Sequence, residues 1–132
     1  MLHDAESLQR WVQARLSPPR YTHTLRVVKT ARDIASVFGV GDQKAEVAAL
    51  LHDCARDMSR QAQLRLAESF GIVISDMERY NPALLHASLG AELARRECGV
   101  HCESVLNAIR FHTTGRPGMS LLEKVIFVAD YV

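Results

Sequence analysis

A chain of 132 residues with 16 Lys+Arg against 15 Asp+Glu is long enough for one domain with a real core and too short for two, and its balanced charge suggests neither a nucleic-acid footprint nor a polybasic membrane surface. No apolar run approaches the roughly 18 residues of a membrane span, and the first twenty positions lack the basic start and apolar centre of a signal peptide, so a cytoplasmic protein is expected. Cys54, Cys98 and Cys102 are odd in number and fit a reducing compartment better than a disulfide framework.

The apolar spacing predicts an all-α fold, a succession of helices with short breaks. Ala5, Leu8, Trp11, Val12 and Leu16 recur at helical spacing over Asp4–Leu16, and Ser17-Pro18-Pro19 is read as the end of that segment. Val27, Ala31, Ile34 and Phe38 form the stripe of a second helix over Tyr21–Phe38, closed by Gly39. Gly41-Asp42 opens a third, through Ala45, Ala48 and Leu51. A fourth, capped by Asp57 or Ser59, stops at Phe70-Gly71. Ile72-Val73-Ile74 is β-branched and short, and is expected to pack across helix ends rather than form a strand. Asn81-Pro82 launches a fifth helix to Cys98-Gly99, and a sixth runs from Glu103 to His112. After the break at Thr113–Gly118, Ser120 and Glu123 carry the capping-box signature of a seventh.

Candidate ligands fall on the apolar faces of these helices. His23 shares a stripe with Val27 and Ala31; His52, followed by Asp53, lies four residues after Ala48; His86 lies seven before Leu93. His112 follows Ile109 and Val105 by three and seven, and Asp130 follows Phe127 and Ile126 by three and four. A lone inward histidine is usually a hydrogen-bonded core residue. Four of them with two inward carboxylates point to a two-metal hydrolytic site, because buried carboxylates need a cation. Cys98, His101 and Cys102 lack a second ligand pair and are not read as a zinc site. His3 is expected to be solvated and without function.

The order H, HD, H, H, D resembles the two-metal form of the HD-domain phosphohydrolases. The segments RYTHTLRVVKTAR, LLHDCARD, HASLGAELA, AIRFHTTGRPGM and LLEKVIFVADYV are similar to those of YqeK-type HD hydrolases, from Arg20 almost to the last residue. The resemblance implies a single HD-domain helical bundle that splits diadenosine tetraphosphate symmetrically into two ADP. It implies His23, His52, Asp53, His86, His112 and Asp130 as metal ligands, with His52 and Asp53 the catalytic pair. Imidazole and carboxylate suit two transition-metal ions, iron first, with manganese or zinc as alternatives. Asp53 would bridge them, His23, His52 and Asp130 completing one site and His86 with His112 the other. A metal-bridging hydroxide would then attack phosphorus in line. The absence of a GxSxG elbow and of a P-loop agrees with a mechanism that needs no protein nucleophile.

Substrate contacts follow the same frame. Arg20 lies one helical turn before His23 and is positioned to grip phosphate bidentately. Arg56 stands where HD hydrolases commonly carry a lysine, which implies a phosphate contact. The turn Thr113-Thr114-Gly115-Arg116, directly after His112, offers hydroxyl, N–H and guanidinium donors to an anion. Arg26 and Lys124 are read as supporting or surface residues. The family pattern continues beyond ADYV with a Glu-Pro-x-Arg motif and further helices, so part of the substrate pocket is expected to be missing, and homo-oligomerisation through the last helix is anticipated. The metal core alone leaves open another HD-type nucleotide phosphohydrolase or phosphodiesterase, and a noncatalytic nucleotide-binding HD module.

Overall fold

A computed structural model describes residues 4–132, so His3 lies outside the described residues. Those residues form eight helices and no strand: α1 (Ala5–Gln13), α2 (Pro18–Phe38), α3 (Asp42–Leu51), α4 (Arg60–Ser69), α5 (Asp76–Tyr80), α6 (Pro82–Glu97), α7 (Glu103–Arg110) and α8 (Leu121–Tyr131). The fold is an all-α bundle. Helix α3 sits at its centre, packed against α1, α2, α6, α7 and α8, while α2 also packs on α8, and α7 on α6 and α8.

Capping chemistry sets most of the boundaries. Ser17 accepts from the Arg20 N–H, and Pro18 and Pro19 occupy the first turn of α2. The Ser-Pro-Pro run therefore starts α2 rather than ending α1, which stops at Gln13, because proline lacks the N–H that a first turn leaves unused. The correction matters for the site, since it places Arg20 and His23 in the first two turns of one rigid helix. Gly39 closes α2 at φ 71°, where a side chain would be strained. Of the two caps considered for α4, Ser59 fills the role; Asp57 instead accepts from the Ser17 N–H at 2.8 Å and ties the start of α2 to the loop after the His-Asp pair.

Ser75 and Glu78 form a reciprocal capping box that starts α5, a helix the sequence reading omitted. The Ile72-Val73-Ile74 run belongs to no helix or strand, Ile72 packing against Cys54, Ala55, Leu89 and Leu93 while Val73 is exposed. Asn81 precedes α6 but makes no side-chain cap.

The core is continuous from α1 to α8 and built from Val12, Val27, Leu50, Leu51, Ile109 and Ile126 among others. Each such side chain contributes roughly 1.5–3 kcal/mol on burial. Small residues on α6 let it approach the His-Asp segment closely: a methyl at Gly90 would meet Cys54 Sγ at 3.5 Å, Ile109 Cγ2 at 3.6 Å and the His52 carbonyl at 3.8 Å. On α8, Ile126 is fully buried and Phe127 half-buried. The exposed apolar surface of this helix is therefore Leu121, Val128 and Tyr131 rather than the whole Ile126–Val128 run.

Candidate metal centre

Five segments of the chain deliver ligand atoms to one point. His23 comes from the second turn of α2, His52 and Asp53 from the end of α3, His86 from the first half of α6, His112 from the turn after α7, and Asp130 from the last turn of α8. They fall into two groups. His23, His52, Asp53 and Asp130 bring one atom each within 4.8 Å of one another, and so do Asp53, His86 and His112, with Asp53 common to both.

The two Asp53 oxygens face different groups. Oδ1 lies 3.2 Å from His86 Nε2 and 3.4 Å from His112 Nε2, which are themselves 3.2 Å apart. Oδ2 lies 3.3 Å from His52 Nε2; Asp130 Oδ1 is 3.2 Å from that same nitrogen and 2.9 Å from His23 Nε2. Donors held about 2.1 Å from one ion in tetrahedral or octahedral coordination stand roughly 3.0–3.4 Å apart. The observed edges fall in or close to that range. Asp53 Oδ1 is buried and has no hydrogen-bond partner, the mark of an acceptor that needs a cation. The residues present fit two metal ions.

Backbone contacts prepare two of the imidazoles. His52 Nδ1 and His112 Nδ1 each donate to the carbonyl three residues earlier, Ala49 and Ile109, leaving Nε2 as the ligating atom. At His23 the polar partners are reversed: its Nδ1 accepts from Arg26 at 2.7 Å and its Nε2 donates to Asp130, so ligation through Nε2 requires that proton to leave, as it does for the Nε2 of His52 beside Asp130 and Asp53.

The charges respond to this crowding. Burial would lower the His52 pKa, but Asp130 and Asp53 outweigh it and push the value up to about 10, so a proton sits where a cation is favoured. Burial also opposes ionisation of Asp53, yet His112, His52 and His86 hold its carboxyl far below the usual range. Asp130 is lowered by His52 and His23 against the same opposition from burial. His112 is lowered, by burial ahead of the neighbouring His52 charge.

The residues expected to contact substrate are placed differently from one another. Arg20 donates through Nε and Nη2 to Asp53 Oδ2 at 2.9 and 2.6 Å, at the edge of the centre. Arg56 is exposed and its side chain makes no hydrogen bond or ion pair with the described residues. In the turn after His112 most donors are engaged locally. The Gly115 N–H bonds the Phe111 carbonyl, the Thr114 hydroxyl bonds the Gly115 carbonyl, and Arg116 stacks on Phe111 and grips the buried Glu123 at 3.0 and 2.7 Å. Glu123 thus turns to Arg116 instead of completing the capping box, although Ser120 still accepts from its N–H. The Thr113 hydroxyl is buried without a partner. Lys124 is exposed, as is His101; Cys98 caps α6, its thiol pushed up to about 12 by burial, and Cys102 contacts Ser104.

Of the two residues read as supporting or surface, Arg26 touches the site: it sits three residues after His23, the spacing of side-chain neighbours on a helix, and donates to its Nδ1. Asp57 could have been found only from the fold, because its partner Ser17 is 40 residues away.

Comparison with known proteins completes the description. Residues 20–132 match the HD domain. The symmetrical bis(5'-nucleosyl)-tetraphosphatase of Bacillus subtilis (strain 168) is 47% identical over 123 residues, which cover 92% of this chain and 64% of that protein. The symmetrical bis(5'-nucleosyl)-tetraphosphatase of Staphylococcus aureus (strain NCTC 8325 / PS 47) is 36% identical over 129 residues, 96% of this chain and 65% of that one. A crystal structure of a predicted HD superfamily hydrolase involved in NAD metabolism from Clostridium acetobutylicum superposes with a TM-score of 0.94 at 38% identity, covering 100% of this chain and 70% of its own. The chain thus spans a little under two thirds of the length of these curated relatives.

Proposed function

The chain belongs to the HD-domain family, and on that premise we propose that it is a metal-dependent phosphoric anhydride hydrolase that cleaves diadenosine tetraphosphate symmetrically into two ADP. The observation that carries this reading is the division of the Asp53 oxygens between two ligand groups whose edges measure 2.9–3.4 Å. The names of the relatives from Bacillus subtilis and Staphylococcus aureus supply the substrate.

His23, His52, Asp53 and Asp130 would hold one ion, and Asp53, His86 and His112 the other. Iron is the first choice for imidazole and carboxylate donors, ahead of manganese or zinc. When bound, such ions supply positive charge against the phosphoryl oxygens and a water acidified towards neutral pH.

The chain's own groups do the rest. Asp53 fixes the spacing of the two groups, and the Ala49 and Ile109 carbonyls keep the protons of His52 and His112 on Nδ1. Arg20, at the rim, and Arg56, exposed three residues after Asp53, are the guanidiniums available to a polyphosphate. Of the Thr113–Arg116 turn, Thr113 keeps a free hydroxyl for substrate, while Thr114, Gly115 and Arg116 act by holding the turn in shape. A cytoplasmic location belongs to this reading, in keeping with three free thiols and with the lack, among the described residues, of a helix long and apolar enough to cross a membrane. Self-association through the exposed Val128 and Tyr131 is part of the same reading.

The test is incubation of anaerobically prepared, iron-loaded protein with diadenosine tetraphosphate and chromatographic resolution of the products. ADP as the sole nucleotide product is expected. Equal yields of AMP and ATP would refute symmetrical cleavage, and turnover of a cyclic nucleotide instead would favour the phosphodiesterase alternative. Binding of the dinucleotide without turnover would favour the noncatalytic module.

A further inference from the structure

Four buried side-chain polar atoms lack a hydrogen-bond partner among the described residues: Thr24 Oγ1 on α2, Asp53 Oδ1 in the metal centre, Glu78 Oε2 and Thr113 Oγ1. An unpartnered buried polar atom is costly and points to a group that completes it. Glu78 and Thr113 line the same pocket, a cavity of about 210 Å³ between α5, the first half of α6 and the turn after α7.

The pocket has apolar walls from Met77, Leu84 and Phe111 and a small polar side chain, Ser88. Glu78 Oε1 is used in capping α5 through the Ser75 N–H, so Oε2 is the oxygen left for a ligand. Arg110, the cation on the same wall, is turned to Asn107 at 2.6 Å and does not neutralise it. At about 30 Å³ per water molecule the volume holds a planar heterocycle but not a dinucleotide.

The pocket also stands at a definite place relative to the metal ligands. Thr113, on the turn after α7, directly follows His112, while Leu84 and Ser88, two residues either side of His86, lie on the opposite face of α6 from it.

We propose that this pocket is a base subsite for a 6-aminopurine. Its faces pack between Met77, Leu84 and Phe111, its exocyclic amino group donates to Glu78 Oε2, and the Thr113 hydroxyl meets a ring nitrogen. The proposal rests on the nucleotide-hydrolase reading above and adds to it how a base would be selected.

Calorimetric titration of the metal-loaded chain with ADP, inosine diphosphate and tripolyphosphate separates the two. ADP is expected to bind at least about tenfold more tightly than inosine diphosphate, which lacks the amino group, as a hydrogen bond to a charged acceptor warrants. Glu78→Gln should erase that preference and leave tripolyphosphate affinity unchanged. Ser88→Leu, which fills the cavity without touching Glu78, should weaken both nucleotides equally and again spare tripolyphosphate.

Equal affinity for ADP and inosine diphosphate in the parent chain, or an ADP preference that survives Glu78→Gln, overturns the base subsite; if diadenosine tetraphosphate is still hydrolysed, the enzymatic reading stands without it. A chain that neither hydrolyses diadenosine tetraphosphate nor binds ADP or tripolyphosphate overturns both.

Discussion

Replacing Arg20 with alanine tests whether the guanidinium and a metal ion serve the same oxygen. Arg20 directs two N–H groups at Asp53 Oδ2, at 2.9 and 2.6 Å, with the arginine side chain 23% exposed and the aspartate 1%. A hydrogen bond to a buried charge is worth about 1.5–3 kcal/mol, and two donors on one oxygen do not add fully, so Arg20→Ala should cost the chelator-treated protein about 2–3 kcal/mol. In a chain of this length that lowers the unfolding midpoint by about 8 °C. With the metal sites filled, cations hold Asp53 and the loss should shrink to below about 1 kcal/mol, the level of an exposed pair. Urea denaturation of parent and variant, each with chelator and with metal, gives the four free energies of the cycle. An equal loss with and without metal would show that Arg20 and the ions do not share Asp53, and would remove the argument that a filled site releases Arg20 towards phosphate.

Elemental analysis after anaerobic preparation should find close to two ions per parent chain. Asp53→Ala should lower occupancy of both sites, whereas His86→Ala should mainly empty one; full occupancy in Asp53→Ala would refute the shared ligand. Arg56→Ala should slow hydrolysis of diadenosine tetraphosphate about 10- to 100-fold at unchanged metal content, read from steady-state kinetics alongside metal analysis. The Arg116 guanidinium holds the buried Glu123 carboxyl below its ordinary value near 4.5, ahead of burial, which acts in the opposite sense. This pair therefore stabilises the fold above that pH and loses its contribution as pH falls through the lowered pKa; Arg116→Gln should narrow the gap between thermal midpoints at pH 7 and pH 3.

The clustering of the six candidate ligands was legible because most of them continue an inward helical stripe, and a stripe survives errors of a few residues at helix ends. His112 shows this: α7 stops at Arg110, yet the turn that follows still carries the imidazole inward. What was missed depended on reading a local signal in the wrong direction or on contacts that no local signal carries. Ser17-Pro18-Pro19 is a helix start as well as a break, and the choice between them decides the first turn of α2. Ser75 and Glu78 carried a capping signature four residues long, too short a helix to show an apolar stripe. Arg116 was read as an anion ligand because its residue type suits phosphate; that the turn also brings Glu123 within its reach is a contact no local signal carries.

The His23–Asp130 contact joins positions 107 residues apart, and His52 reaches the same carboxylate across 78. Loops of that size close late and slowly, so a helical protein that stores its site in such contacts forgoes the fast, local assembly open to most helical bundles. No single helix, and no adjacent pair, owns a binding-competent centre. The growing chain completes both ligand groups only when α8 docks against α2 and α3, and any event that frays α8 dismantles one ligand group while the core beneath still stands. Metal retention is therefore a sensor of whole-chain integrity, expected to fail before helical content does on heating or limited proteolysis.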